Sequence, residues 1–239
     1  MTATAKPFTG KIALVTGATR GIGYSVARSL AEAGAHVLII GRTQSALENL
    51  YDRITAKGGE ATGIPLDLSD FDAIGRLGAA IYEKFGRLDI LVGNAGMLGP
   101  ITPVSHIAPA EFQKTLDINV TANMRLIRAL EPLLLQSETG RAVFLTSGAA
   151  HKARPFWGNY AVSKAALNAL VMSWAAEHKN DALRINLLSP GPVRTAMRAK
   201  AMPGEDPSAL TAPDDLIPLF FEMLSDQQTQ TGEIFTYSS

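Results

Sequence analysis

The chain of 239 residues has no cysteine. That excludes a disulfide framework, thiolate chemistry and any cysteine-based metal site. The four histidines, His36, His106, His151 and His178, are scattered without ligand spacing, so no metal is expected. An excess of one charge is also missing, since Lys+Arg and Asp+Glu each number 22. Without a basic stripe, neither nucleic acid nor an anionic membrane is the expected main partner. No apolar run approaches the length of a membrane span. The opening Met1-Thr2-Ala3-Thr4-Ala5-Lys6-Pro7 lacks the apolar centre of a signal peptide. The expectation by default is a cytoplasmic protein. Repeats, low-complexity tracts and linkers are absent too, so residues 1–239 read as one domain.

What is present is a large apolar fraction, 46% against 18% charged, enough for an extensive buried core. It is arranged as alternating short β-rich runs and helical patterns. Ile12 to Thr16 reads as a buried strand. A helix with Ile22, Val26 and Leu30 on one stripe follows, ending at Gly34. Further strands are read at His36 to Ile40, up to Pro65-Leu66-Asp67-Leu68, and at Leu88 to Gly93. Others lie at Arg141 to Ser147, Leu183 to Ser189 and Glu233 to Tyr237. Thr43 is read as the cap of a helix bearing Leu47, Leu50 and Ile54 and closed by Gly58-Gly59. Ser69 or Asp70 starts a helix burying Phe71, Ile74, Leu77 and Ile81. A long helical region from Pro109 to about Gln136 contains Asn119, a weak helix former there, which implies a local distortion or a buried hydrogen bond. Such alternation implies an α/β fold: a Rossmann-like, doubly wound sheet of about seven mostly parallel strands flanked by helices.

Ligands bind such sheets at the carboxyl ends of the strands. Gly17, Arg42, Asp67, Asn94, Ser147 and Pro190 all fall there. The loop Thr16-Gly17-Ala18-Thr19-Arg20-Gly21-Ile22-Gly23 lies between strand and helix. There a phosphate can meet backbone N–H groups and the positive helix end. After the second strand the chain has Arg42 where an acid would bind the ribose hydroxyl of NAD, and Arg20 lies in the loop. Two arginines there favour the 2′-phosphate of NADP(H).

Tyr160 and Lys164 are four apart in a helical run, so they share one face. Of the five tyrosines, only Tyr160 has a lysine four positions on. A fixed cation beside the phenol would lower its pKa and fit it for general acid–base work. Taken alone, such a pair more often describes a surface tyrosine beside a solvated lysine.

Together these residues resemble the short-chain dehydrogenase/reductase family over nearly the whole chain. The motifs are Thr16-Gly17-x-x-x-Gly21-x-Gly23, Asn94-Ala95-Gly96, Asn119, Ser147, Tyr160-x-x-Ser163-Lys164, and Pro190-Gly191 with Thr195. The resemblance implies a catalytic set of Asn119, Ser147, Tyr160 and Lys164. Tyr160 would be the acid in reduction and the base in oxidation. Lys164 would lower its pKa and hold the nicotinamide ribose. Ser147 would bind the substrate oxygen, and Asn119 would hold a water linking Lys164 to solvent. For the cofactor it implies contacts along Gly17, Thr19, Arg20, Gly21, Ile22 and Gly23, and at Arg42 and Thr43. Asp67 and Leu68 would meet the adenine; Asn94, Ala95 and Gly96 would line the adenosine side. Pro190, Gly191, Val193 and Thr195 would hold the nicotinamide end. The implied reaction is NADPH-dependent interconversion of a small-molecule ketone or aldehyde with its alcohol. Relatives dimerise through the helices here spanning Glu111 to Leu135 and Tyr160 to His178. The ending Thr231 to Ser239 lacks the Asp-Gly-Gly segment of many relatives, and Gly93 replaces a frequent second Asn. Homodimer and homotetramer both stay open.

Within that reading, 3-oxoacyl-carrier reduction is disfavoured, because the helix ends Gln136-Ser137-Glu138 and Lys179-Asn180-Asp181 are mixed to acidic. The alternative from another class is a non-catalytic NADPH-binding protein on the same fold. Residues Thr195 to Pro213 read as an irregular, mobile lid. Arg154, Phe156, Trp157, Met197, Arg198 and Met202 suggest an apolar pocket, where Arg154 or Arg198 would suit a carboxylate or phosphate.

Overall fold

The computed structural model of the protein describes residues 6–238. Residues 1–5 of the opening stretch, and Ser239, lie outside them. The strands are β1 Ile12–Thr16, β2 His36–Gly41, β3 Glu60–Pro65, β4 Ile90–Gly93, β5 Arg141–Leu145, β6 Arg184–Ser189 and β7 Ile234–Thr236. They form one sheet in the order β3-β2-β1-β4-β5-β6-β7. Every pair is parallel, so the sheet is more uniform than the mostly parallel one expected. The helices are α1 Gly21–Glu32, α2 Gln44–Thr55, α3 Phe71–Phe85, α4 Pro109–Leu116, α5 Ala122–Leu134, α6 Gly158–Glu177, α7 Ala196–Ala201 and α8 Ile217–Leu224. Chain order runs outward from β1 to β3 one way and from β4 to β7 the other. A crevice therefore opens between the carboxyl ends of β1 and β4.

The sheet is buried on both faces, so its inner strands are apolar throughout. In β1, Ala13 and Val15 join one core with Val26 and Leu30 of α1, Leu50 of α2 and Phe220 of α8. Leu14 points the other way, into a core with Ile74 and Leu77 of α3, Leu130 of α5 and Val171 of α6. The edges differ. β3 is partly to fully exposed along its length and carries Gly63 and Pro65, while β7 has only three residues.

Helix ends explain several boundaries. Gly34 adopts φ 100 after α1, where its N–H reaches the Ala31 carbonyl and the Ala35 N–H reaches that of Leu30. Asp70, rather than Ser69, caps α3 by accepting from the Ala73 N–H at 2.9 Å. Thr43 does stand before α2, but its hydroxyl makes no capping bond. Phe71 is half-buried rather than buried. Five strands are shorter than expected: β3 and β5 stop at Pro65 and Leu145, β4 and β6 start at Ile90 and Arg184, and β7 spans only Ile234–Thr236. Leu66 to Leu68 and Thr146-Ser147 are thereby released into loops at the carboxyl edge.

At the opposite edge, His178 after α6 lies between Asp181 and Glu131 of α5, with its Nε2 3.1 Å from Glu131. Burial opposes its charge, but hydrogen bonds to Asp181 and Glu131 outweigh that and raise its pKa. A raised pKa means the native state binds the proton more tightly, so this stabilisation is complete below the unfolded value of about 6.5 and lost above the native one. Urea unfolding should show wild type losing stability, relative to His178→Gln, as pH rises across that window. A constant difference would remove His178 from the stability account.

Candidate active site

The glycine loop turns out of β1 with Gly17 at φ 63 and Gly21 at φ 55, left-handed conformations that suit glycine. A side chain at Gly23 is impossible: its Cβ would sit 2.3 Å from Asn94 Nδ2 and 2.4 Å from the Gly17 carbonyl oxygen. Arg20 precedes α1 and gives it no side-chain cap, in contrast to Asp70 on α3. The first N–H groups of this twelve-residue helix thus face the crevice uncapped, where a phosphate fits. Thr19 packs by Gly41 at the end of β2, with its methyl 2.6 Å from where a Gly41 Cβ would lie. Arg20, Arg42 and Thr43 are exposed, and Ile22 is half-buried against the core. Asp67 binds the Ser69 N–H and hydroxyl, both at 2.9 Å. The Ser69 N–H is the main cause lowering its pKa, and Arg42 and Lys114 also contribute. Leu68 is buried behind it.

Asn94 braces the glycine loop. Its Nδ2 donates to the Thr16 and Gly17 carbonyls at 2.8 and 3.2 Å, locking β4 to the glycine loop. Thr16 Oγ1 accepts from the N–H groups of Asn94 and Ala95, both at 3.0 Å. Thr16 is absent from the expected site residues. Its only sequence signal is its place before Gly17.

Asn119 answers the helix question twice over. The long helix breaks into a π turn at Asp117–Thr121, and the Asn119 side chain is fully buried there. Its Oδ1 accepts from Met97 N–H at 2.8 Å, and its Nδ2 donates to the Met97 carbonyl and to Ser163 Oγ. Ser163 in turn donates to the Tyr160 carbonyl at 2.8 Å. Asn119 and Gly96 lie together beside Lys164: a Cβ at Gly96 would be 3.3 Å from Asn119 Oδ1 and 3.6 Å from Lys164 Nζ. The Asn119 carbonyl accepts from Asn123 Nδ2 at 2.8 Å.

Ser147, Tyr160 and Lys164 converge at the carboxyl end of β5. Tyr160 is 8% exposed and Lys164 4%. The Lys164 ammonium turns to the backbone. Its Nζ is 5.8 Å from the Tyr160 ring centroid and donates to the Leu145 carbonyl at 2.7 Å. Burial pushes the phenol up to about 12, opposed only by the neighbouring Ser147 hydroxyl. Burial brings Lys164 down to about 8. Sequence spacing gives the shared helix face but not the desolvation that moves both groups toward neutrality. Two of the three ammonium N–H donors remain for a ligand, which fits a ribose.

Pro190, Gly191, Val193 and Thr195 follow β6. Gly191 takes φ 70, Val193 is buried and bridges to Thr211, and the Thr195 methyl would meet a Gly21 Cβ at 3.2 Å. The nicotinamide-side segment therefore reaches the glycine loop. Residues 195–213 are more regular than read. They contain α7, whose N-terminus Thr195 caps by accepting from the Arg198 N–H, and a 3-10 turn at Pro207–Ala209. Arg198 pairs bidentately with Glu205, both contacts at 2.5 Å. Its guanidinium is committed, so it does not supply a free anion anchor. A cavity of about 370 Å³ lies here, lined among others by Thr195, Ala199, Met202 and Leu210. Arg154 lies 5.7 Å over the Trp157 ring, which meets Tyr160 edge-on at 6.0 Å.

The short chain dehydrogenase family profile matches residues 11–206, and the chain belongs to that family. The uncharacterized oxidoreductase YciK of Escherichia coli K12 is 38% identical over 229 residues, 94% of this chain and 90% of that protein. A short chain dehydrogenase of Shigella flexneri 2a complexed with NADP superposes with TM-score 0.94 at 37% identity, covering 98% of this chain and 99% of that one. One from Escherichia coli CFT073 complexed with NADPH gives TM-score 0.93 at 36% identity, covering 98% and 99%. Among the described residues, no helix is long and apolar enough to cross a membrane, and no group of three or more His, Asp or Glu side chains could hold a metal.

Phe156, four residues before Tyr160, has φ 72, the only non-glycine at positive φ among the described residues. Its carbonyl accepts from the Thr102 N–H at 3.1 Å, while 53% of the residue is exposed. A bulky residue in this region is strained, and such strain gathers at functional sites. Phe156→Gly should therefore raise stability by about 1 kcal/mol in thermal unfolding. A loss of stability would show that packing of the ring outweighs the strain.

Proposed function

We propose that the protein is an NADPH-dependent reductase of ketones or aldehydes. The observation that carries this reading is the convergence of buried Tyr160 and Lys164 with the half-buried Ser147 at the carboxyl end of β5, beside a glycine loop built for a phosphate. The uncapped start of α1 would hold the pyrophosphate, Arg20 and Arg42 the 2′-phosphate, and the free Lys164 donors the ribose. NADP and NADPH in the two structural neighbours support that assignment. When bound, the cofactor supplies the hydride chemistry.

This chain's residues manage the proton and the oxygen. Ser147 and Tyr160 offer hydrogen bonds where negative charge develops on the carbonyl oxygen. Tyr160 then donates its phenolic proton. With its pKa raised to about 12, the phenol is protonated throughout the neutral range, so it holds the proton a reduction requires. As base for oxidation it would need alkaline conditions. Residues 1–239 act as one catalytic domain, with 195–213 closing the substrate side. The non-catalytic alternative gives no reason to bring all of these groups together.

Tyr160→Phe should lower NADPH oxidation with a carbonyl panel by about a hundredfold or more while leaving NADPH affinity nearly intact. Full activity in the variant would end the reductase reading. For Lys164 the sign is specific. Its charge is lost as pH rises through about 8, so kcat/KM for NADPH, which reports the free enzyme, should fall above that value. A profile flat through that range would remove the lysine's charge from cofactor binding.

We also propose a homo-oligomer through α5 and α6. Burial covers one side of α6, yet Val162, Ala165, Ala169, Met172 and Ala176 form an exposed apolar stripe on the other. Met124 of α5 is exposed as well. A helix apolar on all sides is normally covered on all sides. Ala169→Arg should convert the assembly to monomers in sedimentation analysis; an unchanged mass would place the interface elsewhere.

A further inference from the structure

Asn168 lies on α6 one helical turn beyond Lys164, is 4% exposed, and takes no part in the chemistry above. Its amide has two partners. Its Oδ1 accepts from Thr146 Oγ1 at 2.5 Å, and its Nδ2 lies 3.1 Å from His151 Nε2. Thr146 immediately precedes Ser147. His151 closes the short 3-10 turn Gly148–Ala150, with its own N–H donating to the Gly148 carbonyl. Within that turn the Ala149 N–H donates to Ser147 Oγ at 3.2 Å. The Ser147 hydroxyl faces the Tyr160 phenol. A chain of contacts thus runs from α6, through a buried amide and an imidazole, around the turn to the Ser147 oxygen.

We propose that the Thr146–Asn168–His151 link is a positioning device for Ser147, with His151 as its adjustable end. The proposal rests on the roles given to Ser147 and Tyr160 above. Two arguments carry it. Asn168 is buried, and an amide there without partners would carry a large desolvation cost, so the ring nitrogen is held against it. The link also grips Ser147 from both sides, at the preceding residue and four residues later. Rotation of the serine hydroxyl away from the phenol must then break its bond from the Ala149 N–H, which the link holds in place. Either orientation of the Asn168 amide keeps both hydrogen bonds. With Nδ2 toward the ring, His151 accepts and Thr146 donates. With Oδ1 toward the ring, His151 donates and Thr146 accepts. The link therefore survives protonation of the histidine, and its function is geometric rather than pH-sensing.

His151 is exposed on its outer side, so replacing it leaves the core intact. His151→Gln places an amide near the position of Nε2 and keeps the hydrogen bond; His151→Ala does not. Two readouts separate the outcomes, both with NADPH bound: hydrogen exchange of the Ala149 amide, and steady-state kinetics with phenanthrenequinone and ethyl acetoacetate. The expected result for His151→Ala is Ala149 exchange faster by about tenfold and kcat lower by about tenfold, since small displacements of a positioned group cost that much or more. KM for NADPH and the melting temperature should stay unchanged, and His151→Gln should restore both readouts. Wild-type behaviour of His151→Ala in both readouts would overturn the proposal. Equal impairment of the two variants would also overturn it, because the hydrogen bond would then not be the cause. Absence of turnover in wild type, or full activity in Tyr160→Phe, would strike the reductase reading instead, and Ala149 exchange alone would then decide whether His151 holds the turn.

Discussion

The buried amide of Asn119 is the contact on which the site depends. It pairs with both backbone groups of Met97 and with Ser163, which in turn holds the first turn of α6. One side chain thus joins the loop after β4, the helix after it and the helix bearing Tyr160 and Lys164. The π turn makes this possible. An extra residue in the helical ladder rotates Asn119 inward and places its amide among backbone groups that would otherwise be unpaired in the interior. A regular α-helix through Asp117–Thr121 would keep the same sequence and lose the junction.

Burial then sets the electrostatics. Tyr160 and Lys164 share a helix face, yet the ammonium bonds to a backbone carbonyl and stands 5.8 Å from the centre of the phenol ring. Each is driven toward its neutral form by loss of water, the tyrosine upward and the lysine downward. The lysine relieves its desolvation on the Leu145 carbonyl, the last residue of β5. The same strand end therefore fixes the lysine through its backbone and the serine through the turn that follows. The spacing between hydrogen-bond donors is inherited from the sheet rather than from flexible loops.

Much of this was legible in the sequence. Strand and helix alternation gave the doubly wound architecture because apolar periodicity switches cleanly between the two elements. The glycine loop was legible because only glycine tolerates the positive φ at Gly17 and Gly21, and because a Cβ at Gly23 has no room. Side-chain partnerships were not. Arg198 reads as a free cation until Glu205 folds back onto it seven residues later. The bonds from the Asn94 amide to the backbone after β1 have no signal in the sequence. Asn168 and His151 give no periodic or spacing signal at all, because their partners come together only through tertiary packing. Strand ends were read long at the carboxyl edge, since apolar residues such as Leu66 and Leu68 remain buried after leaving the ladder.

The uniformly parallel sheet has a consequence for how the chain is made. No two adjacent strands are joined by a hairpin, so each ladder waits for a crossover to close. A chain of this kind nucleates slowly and exposes strand edges while it does so. The two outermost strands are poor templates for a second molecule during that interval. β3 ends in Pro65, which has no N–H to donate, and carries Gly63 and a charged Glu60; β7 offers only three residues. The finished sheet thus carries at its rims a guard against aggregation that matters most before the enzyme exists.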